Sequence, residues 1–310
     1  MGAVASGAAD GSPIWRSLLY MPANNRRFID KAHTRGADGV ILDLEDSVPP
    51  AARDAARRDL AESVAKAGRA GADVLVRINA DGGERESDLD AACIAGVRAL
   101  VVPKAETAAS VRALSAEVAG FEASRRLGPG SIRFLVLIET PAGFFEAHRI
   151  AGADPRVAAI TLGSEDFAMA TGMVPDPENL LMPKQWTLFA ARAAGVVPLG
   201  LVGSIAGYTD LEAMKAAAIR SRDLGFEGAS CIHPSVVPLL NQAFTPGEVE
   251  VAAAERIVTA YETAGDGGVG AIELDGKMID VPVALRARRL LQRAAAIARR
   301  DASFSNTRDA

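Results

Sequence analysis

Eight short runs rich in Val, Ile and Leu, separated by longer segments of helical character, constrain the fold of this chain more than any other feature. Such runs are typical of parallel strands that are buried on both faces. Eight of them predict an α/β fold of the (β/α)8 or TIM-barrel type, because open parallel sheets usually have fewer strands. The predicted strands are 16–22, 39–45, 73–79, 98–104, 133–140, 158–164, 196–203 and 228–233. Amphipathic helices are predicted at 26–36, 51–68, 108–125, 184–195 and 210–225.

Ionisable residues stand at the ends of six predicted strands. They are Glu45 and Asp46, Arg77, Lys104, Glu139, Glu165 and Asp166, and His233. In a TIM barrel the carboxyl ends of the strands form one face, here called the mouth, where active sites are built. A single charge after a strand usually only begins a solvated loop. The coincidence across six strands predicts an active site at the mouth.

Two of these carboxylates, Glu139 and Asp166, predict a site for one hard cation. Oxygen ligands with water and substrate in the remaining positions are what magnesium prefers, and manganese is the alternative ion. Zinc fits less well, because the three histidines are far apart and no CxxC spacing exists. Asp43, Glu45 and Asp46 form an acidic cluster at the end of the second predicted strand, and we expect them to hold the water molecules of the metal.

Two cations at the mouth are candidates for contact with substrate. Arg77 is the natural partner of a carboxylate or of a developing enolate oxygen. Lys104 is predicted to bind substrate, while a Schiff-base role is disfavoured because nearby carboxylates keep its ammonium group protonated. His233 precedes Pro234 at a strand end, where a structural role is more common than catalysis.

Composition limits the partners and the compartment. The net charge of -5 without a concentrated basic face argues against nucleic-acid binding. Cys93 and Cys231 lie in apolar surroundings without metal or redox spacing, which suits a reducing compartment. No apolar stretch approaches the roughly 20 residues that span a bilayer, and the start lacks the pattern of a signal peptide. We therefore expect a cytoplasmic protein without membrane or nucleic-acid partners.

The chain changes character after residue 262. Residues 265–270 match GxGxxG, but no strand precedes them and a hairpin follows, so they predict a flexible linker. Asp275-Gly276 predicts a β-hairpin with strands 271–274 and 277–282, and a helix from 283 to about 300 follows. The expected organisation is a flexible leader at 1–15, a catalytic barrel at 16–262, and a linker with a C-terminal hairpin-plus-helix lid at 263–310. The lid is too small to hold a core alone and must pack on the barrel or on a neighbouring subunit.

Ordered motifs from residue 16 to about 289 resemble the citrate lyase beta subunit-like acyl-CoA lyases, which include malyl-CoA and citramalyl-CoA lyases, within the HpcH/HpaI aldolase/citrate lyase superfamily. The motifs are RSLLYMP (16–22), GADGVILDLED (36–46), VRIN (76–79), PK (103–104), LIET (137–140), LGSED (162–166), IHP (232–234) and DGKMID (275–280).

The resemblance implies a TIM barrel with magnesium held by Glu139 and Asp166, and Arg77 in contact with the substrate and its enolate. Asp280 resembles a general acid/base on a C-terminal lid that closes over a neighbouring subunit's site, so a homotrimer or hexamer is expected. The residues that the resemblance assigns more loosely to CoA are Arg16, Arg26 and Lys31.

The implied function is a magnesium-dependent carbon–carbon lyase. It would cleave or form a 3-hydroxyacyl-CoA thioester of the malyl-CoA, methylmalyl-CoA or citramalyl-CoA type, with acetyl-CoA or propionyl-CoA and a 2-oxo acid as partners. Within the same family a malyl-CoA thioesterase, a citryl-CoA lyase beta subunit and a carrier-protein thioester remain alternatives. Outside it stand a metal-dependent 2-oxo acid aldolase without CoA and a non-catalytic subunit.

Two positions depart from the family pattern. Pro22-Ala23 stands where a Pro-Gly pair is common, and Leu199-Gly200 stands where an Ile-Asp pair is common. The missing carboxylate at the second position leaves the acyl acceptor open.

Overall fold

The computed structural model describes residues 12–80, 82–265 and 270–308. The chain forms two compact units, Met1–Phe244 and Thr245–Ala310. Most of the predicted leader and residues 266–269 of the predicted linker lie outside the described residues. The boundary between the units precedes residue 262, where the barrel domain was predicted to end.

The first unit is built on parallel strands. Those that the structure describes are β1 (Ser17–Pro22), β2 (Gly39–Asp43), β3 (Asp73–Arg77), β4 (Val97–Val102), β5 (Arg133–Ile138), β6 (Val157–Leu162), β7 (Val197–Pro198) and β8 (Ala229–Cys231). They form one eight-stranded sheet in the order β7-β6-β5-β4-β3-β2-β1-β8. Every predicted strand is present.

Two further backbone hydrogen bonds connect the ends of this sheet. Glu227 N donates to Pro198 O at 3.0 Å, and Gly200 N donates to Gly228 O at 2.9 Å. These bonds join β7 to the segment that enters β8, so the sheet curls into a ring. The prediction of a TIM-barrel fold is confirmed.

Helices follow the strands and surround them. In the described part of the first unit they are α1 (Arg26–Ile29), α2 (Pro50–Arg58), α3 (Leu60–Ala67), α4 (Gly82–Ala92), α5 (Ala108–Ser124), α6 (Pro141–Ala151), α7 (Ser164–Thr171), α8 (Leu181–Ala194), α9 (Leu211–Leu224) and α10 (Val237–Ala243). The helix predicted at 26–36 is instead one turn of α-helix followed by a 3₁₀ helix at Ala32–Thr34. The Thr34 hydroxyl donates to Lys31 O at 2.8 Å, a local bond that competes with a regular α-helix.

The apolar core has two layers because side chains alternate along each strand. Leu18, Ile41, Leu75 and Leu135 belong to one cluster, which fills the inside of the ring. Leu19, Leu42, Val76 and Val136, each next in sequence, belong to a larger cluster between the strands and the helices. This alternation holds the strand ends, and the polar residues beyond them, in fixed positions.

The second unit contains α11 (Glu248–Gly265), β9 (Ala271–Leu274), β10 (Lys277–Asp280) and α12 (Val281–Arg308). The predicted hairpin is confirmed, since β9 and β10 pair antiparallel. Its turn residues Asp275 and Gly276 have φ angles of 53° and 72°, the left-handed values of a type I′ turn. Asp280 Oδ1 accepts a hydrogen bond from Val283 N at 3.1 Å and thereby caps α12. None of the described helices is long and apolar enough to cross a membrane.

Candidate active site

A cavity of about 970 Å³ lies at the mouth of the barrel. Residues predicted at the strand ends contribute much of its polar lining. Those that line it are Asp43, Asp46, Arg77, Glu139, Glu165, Asp166 and His233. The structure therefore brings together in one cavity residues that are up to 190 positions apart in the chain (233 minus 43).

Arg77 is the last residue of β3 and pairs in register with Asp43, the last residue of β2. Its Nε donates to Asp43 Oδ1 at 2.6 Å and its Nη2 to Asp43 Oδ2 at 2.7 Å. Nη1 lies 3.0 Å from Glu45 Oε2 and 3.1 Å from Asp46 Oδ2. The guanidinium also stands 5.2 Å from the centre of the Tyr20 ring. Burial opposes its charge, but the bonds and charge of Asp43 outweigh burial and raise the pKa of Arg77.

Asp43 organises the loop that follows β2. Besides Arg77, it accepts hydrogen bonds from Glu45 N at 3.0 Å, from Ser47 N at 3.1 Å and from the Ser47 hydroxyl. Burial alone would raise the pKa of Asp43, but its bonds to Arg77 and Ser47 hold the pKa below its usual value. In this structure Asp43, Glu45 and Asp46 all bind Arg77. Their predicted contact with metal-bound water stays a prediction.

Glu139 follows β5 and is only 3% exposed. Its Oε2 accepts a hydrogen bond from Lys104 N at 2.7 Å. Burial, together with the charges of Asp166 and Glu45, raises the pKa of Glu139 to about 7. A buried carboxyl group beside other carboxylates is an environment that a bound divalent cation would stabilise.

Lys104 adopts a left-handed backbone conformation, with φ of 50°. Such a conformation costs a non-glycine residue roughly 1 kcal/mol or more, and strain of this kind is found at functional sites. Its Nζ lies 3.3 Å from Glu45 Oε1. Burial lowers its pKa, but Glu45 raises it more, so the pKa of Lys104 lies above its usual value. This supports a charged lysine, and its predicted contact with substrate stays a prediction.

Gly163 brings the second carboxylate into place. It separates β6 from α7, and its N donates to Ile138 O at 2.9 Å. A Cβ at this position would lie 2.4 Å from Cγ and 2.5 Å from Oε1 of Glu139. The backbone at the start of α7 therefore packs directly on the Glu139 carboxylate, and α7 carries Asp166 in its first turn. We did not predict this role of Gly163 from the sequence. The pattern that could have indicated it is a glycine between a strand and a helix with acidic residues in its first turn.

The oxygen donors of Glu139 and Asp166 fit a hard cation. Among the residues that the structure describes, no group of three or more His, Cys, Asp or Glu side chains could hold a metal ion. Two carboxylates leave coordination positions for water and substrate, which is the arrangement that magnesium favours.

One wall of the cavity follows β7, whose predicted extent of 196–203 is shortened to two residues. The buried Lys184 of α8 donates from Nζ to Leu201 O and, at 2.6 Å, to Gly203 O. These carbonyl groups bind a side chain instead of a neighbouring strand, which explains the early end of β7. Burial lowers the pKa of Lys184 to about 7. Ser204 adds a hydrogen bond to Glu165 of α7.

The departure at Gly200 lies in this wall. A Cβ there would stand 2.7 Å from the ring of Phe226, which packs in the layer between strands and helices. A residue with a side chain at position 200 would therefore require the Phe226 ring to shift, although Gly200 itself lines the cavity.

His233 lies in the cavity wall in a hydrogen-bonded setting. Its Nδ1 stands 2.7 Å from the Ser235 hydroxyl, and its ring stacks on Tyr208 at 5.0 Å. These contacts support the structural interpretation of this residue.

The residues assigned to CoA do not line the cavity. Arg16 precedes β1, at the opposite end of the strands from the mouth, and is 5% exposed. It forms a buried ion pair with Asp38, with Nη2 to Oδ1 at 2.8 Å. A guanidinium in that position cannot reach a ligand at the mouth, so the assignment of Arg16 is corrected. Arg26 pairs with Asp59 at 2.8 Å and Lys31 is exposed; their contact with CoA stays a prediction.

Comparison with known proteins identifies the family. The model of the HpcH/HpaI aldolase/citrate lyase family matches residues 16–234. Citrate lyase subunit beta of Escherichia coli (strain K12) is 36% identical over 282 residues, 90% of this chain and 93% of that protein. L-malyl-CoA/beta-methylmalyl-CoA lyase of Rhodobacter capsulatus is 32% identical over 300 residues, 86% of this chain and 90% of that protein.

A solved structure extends the match to the fold. Protein CitE from Mycobacterium tuberculosis, in complex with magnesium, acetoacetate and coenzyme A, has a TM-score of 0.70 and 29% identity, covering 94% of this chain and 99% of that chain. The magnesium in that complex agrees with the ion predicted from the two carboxylates. The chain therefore belongs to the HpcH/HpaI aldolase/citrate lyase family and is an enzyme of the lyase class.

Proposed function

We propose that the protein is a magnesium-dependent carbon–carbon lyase that acts on a 3-hydroxyacyl-CoA thioester of the malyl-CoA, methylmalyl-CoA or citramalyl-CoA type. The products of cleavage are acetyl-CoA or propionyl-CoA and a 2-oxo acid, and the reaction is reversible. The observation that carries the proposal is the meeting of Glu139, Asp166 and the carboxylate-bound Arg77 in one cavity.

The size of the cavity supports a thioester over a free acid. Its volume of about 970 Å³ lies near the upper end of the range for small-molecule sites. A 2-oxo acid of fewer than ten heavy atoms would occupy only a small part of it. This favours the thioester lyase over an aldolase that works without CoA.

Glu139 and Asp166 are the residues that would hold magnesium. When bound, the ion would polarise the carbonyl oxygen of the 2-oxo acid. Arg77 is the group that we assign to the enolate oxygen of the thioester. Because Asp43 fixes two of its nitrogens, little reorganisation is needed when that charge develops.

Asp280 is the proposed acid/base. In cleavage a base takes the proton of the 3-hydroxyl group, the bond between C2 and C3 of the acyl chain breaks, and its electron pair becomes the thioester enolate. Protonation of the enolate carbon then gives acetyl-CoA or propionyl-CoA, and condensation follows the reverse order. We propose that Asp280 acts in a neighbouring subunit of a homotrimer or hexamer.

A panel assay tests the function. Malyl-CoA, methylmalyl-CoA, citramalyl-CoA and citryl-CoA are incubated with the protein and magnesium, and the 2-oxo acid, the acyl-CoA and the free thiol are measured. Equal amounts of 2-oxo acid and acyl-CoA without free thiol support the lyase. Free thiol with the hydroxy acid identifies a thioesterase. Absence of turnover on all four thioesters would contradict the proposal.

A further inference from the structure

The cavity wall that follows β7 extends beyond the end of the strand. β7 ends at Pro198, yet Gly200, Leu201 and Ile205 line the same cavity as the two candidate metal ligands. Residues 200–205 are here called the β7 wall. Ile205 is half-buried and packs against the apolar core. Because the strand has ended, the position of this wall depends on side chains from other elements.

Side chains from two helices hold the backbone of the β7 wall. Lys184 of α8 donates from Nζ to Leu201 O and, at 2.6 Å, to Gly203 O. Ser221 of α9 accepts a hydrogen bond from Val202 N at 2.8 Å. Lys184 is thus bonded to the wall at two points, on either side of the residue that Ser221 binds.

The environment of Lys184 supports a role in holding the wall. The residue is only 3% exposed, and burial lowers its pKa to about 7. Above that pH the amino group is mostly neutral and carries two N–H donors, which the carbonyl groups of Leu201 and Gly203 match. Removal of the side chain would leave both carbonyl groups without this partner, a cost that the wall can reduce only by moving.

The other end of the β7 wall is bonded to the turn that carries Asp166. The Ser204 hydroxyl donates to Oε1 of Glu165, and Glu165 and Asp166 both lie in the first turn of α7. Ser204 Oγ also accepts a hydrogen bond from Ala206 N at 3.0 Å, which caps the 3₁₀ helix at Ile205–Gly207. Ile205 is thereby fixed beside this turn, on the side of the cavity where the 2-oxo acid is proposed to bind.

We infer that Lys184 is a positioning residue that holds Ile205 of the β7 wall against the side group of the 2-oxo acid. The inference rests on that part of the proposed function in which Glu139 and Asp166 hold the metal and the 2-oxo acid. Pyruvate has a methyl side group and 2-oxobutyrate an ethyl group, whereas glyoxylate has only hydrogen in that position. Each carbon that is buried against an apolar wall lowers the Kd about fourfold. The β7 wall therefore sets the preference of the enzyme among 2-oxo acids.

Calorimetry on the magnesium-loaded protein tests this role, with glyoxylate, pyruvate and 2-oxobutyrate as probes. In Lys184→Met we expect the Kd for pyruvate to rise about fourfold and the Kd for 2-oxobutyrate about 15-fold, because the displaced wall no longer covers the side group. The Kd values for glyoxylate and for magnesium should stay unchanged. The matched control is Lys215→Met, at an exposed position of α9 that does not line the cavity, and it should bind the three acids and magnesium like the wild type.

A second variant tests the wall without a change at Lys184. Ile205→Ala shortens the apolar side chain, so it should weaken 2-oxobutyrate more than pyruvate and leave glyoxylate unchanged. Equal affinity of Ile205→Ala and the wild type for all three acids would show that the wall does not contact the side group. If Lys184→Met does not fold, Lys184→Gln replaces it, since the shorter amide keeps a polar group in the buried site but cannot reach both carbonyl groups.

Several results with Lys184→Met would overturn the inference. Unchanged Kd values, or an equal loss for all three acids, exclude a role in the choice of side group, and a loss of magnesium affinity assigns the effect to the metal site instead. Failure of the wild type to bind any of the three acids overturns the inference together with the 2-oxo acid chemistry of the proposed function. A negative result in the thioester panel with graded binding of the acids overturns the lyase proposal alone, because these acids bind without an acyl-CoA.

Discussion

A methyl group at position 163 would occupy the space that the Glu139 carboxylate now fills, because its distance to Glu139 Cγ would be 2.4 Å. We expect Gly163→Ala to weaken magnesium binding at least tenfold, since the carboxylate must rotate away. The control is Gly120→Ala within α5, where a Cβ meets no atom within 4 Å. That control should gain up to about 1 kcal/mol of stability and keep its affinity for magnesium. Calorimetry with normal affinity in Gly163→Ala would contradict the packing argument.

Removal of the two candidate metal-binding carboxylates provides the comparison for the magnesium affinity of Gly163→Ala. Glu139→Ala and Asp166→Ala should each abolish magnesium binding and turnover, because each removes one of two proposed protein ligands. Circular dichroism should show an unchanged fold. Glu117→Ala, at an exposed position of α5, is the control for loss of a carboxylate. Undiminished magnesium affinity in both variants would refute the metal assignment.

Arg77 is a case in which the shape of the side chain matters as much as its charge. Its Nε and Nη2 bind the two oxygens of Asp43 at 2.6 and 2.7 Å, a fork that lysine cannot form. We expect Arg77→Lys to lower kcat by about 100-fold or more, the scale found when a donor to a developing oxyanion is lost. Steady-state kinetics measure it. A kcat near that of the wild type would exclude Arg77 from the mechanism.

At this scale the sequence predicted which residues would meet, because parallel strands deliver their ends to one face. It did not predict their bonds. Asp43, Glu45 and Asp46 were expected to hold the metal's water, and the sequence did not predict that their oxygens also bind Arg77. Such pairing depends on the register between β2 and β3, which the pattern of either strand alone does not define.

At the scale of the elements, the conformation of the segment after β7 depends on the buried amino group of Lys184, which binds two of its carbonyl groups. Lys184 has a pKa of about 7 in the folded protein because burial disfavours its charge. In the unfolded chain the pKa is about 10.4, so between these values the unfolded state binds more protons and stability rises with pH. We expect the free energy of unfolding to gain up to about 1.4 kcal/mol per pH unit from this residue above pH 7.

Urea denaturation between pH 6.5 and 9.5 measures this effect. Lys184→Met should lose this contribution, so its free energy of unfolding should rise less steeply with pH than that of the wild type. Lys215→Met, at an exposed position of α9, should retain the wild-type slope. Identical slopes in Lys184→Met and the wild type would show that Lys184 keeps an ordinary pKa.

Helices and strands were predicted correctly where apolar residues recur at a regular spacing. They were missed where side chains that are distant in the sequence stabilise the element. α4 begins with Gly82-Gly83, which are poor helix formers, and was not predicted. It is held by the fully buried Asp88, which accepts hydrogen bonds from Asn79 N at 2.7 Å and from Arg57 Nε at 2.7 Å. Because these bonds join residues that are distant in the sequence, no local sequence pattern predicts them.

For the whole molecule, the proposed shared site predicts complementation. An inactive Asp280→Asn protein mixed with an inactive Asp166→Ala protein should regain activity, because some interfaces would combine an intact Asp280 with an intact metal site. Asparagine is chosen because it can still cap α12, as Asp280 does through Val283 N. No recovery after demonstrated subunit exchange would show that Asp280 does not act in a neighbouring subunit.

At the scale of the whole molecule, the boundary between the two compact units was the least predictable property. The amphipathic pattern of α11 indicates a buried face but does not identify the partner of that face. In the structure α11 contacts α12 and both strands of the hairpin, so the second unit begins at Thr245.

The ring of strands is not equally strong around its circumference. β2 and β3 are paired through five residues in register, whereas β6 and β7 share two and β7 reaches the segment before β8 through two backbone bonds. β7 is therefore a seam, the line along which the barrel can open at the lowest cost in hydrogen bonds. Because the same seam carries a wall of the cavity, we expect a bulkier acyl group to displace this wall at a lower cost in hydrogen bonds than the side that holds Arg77.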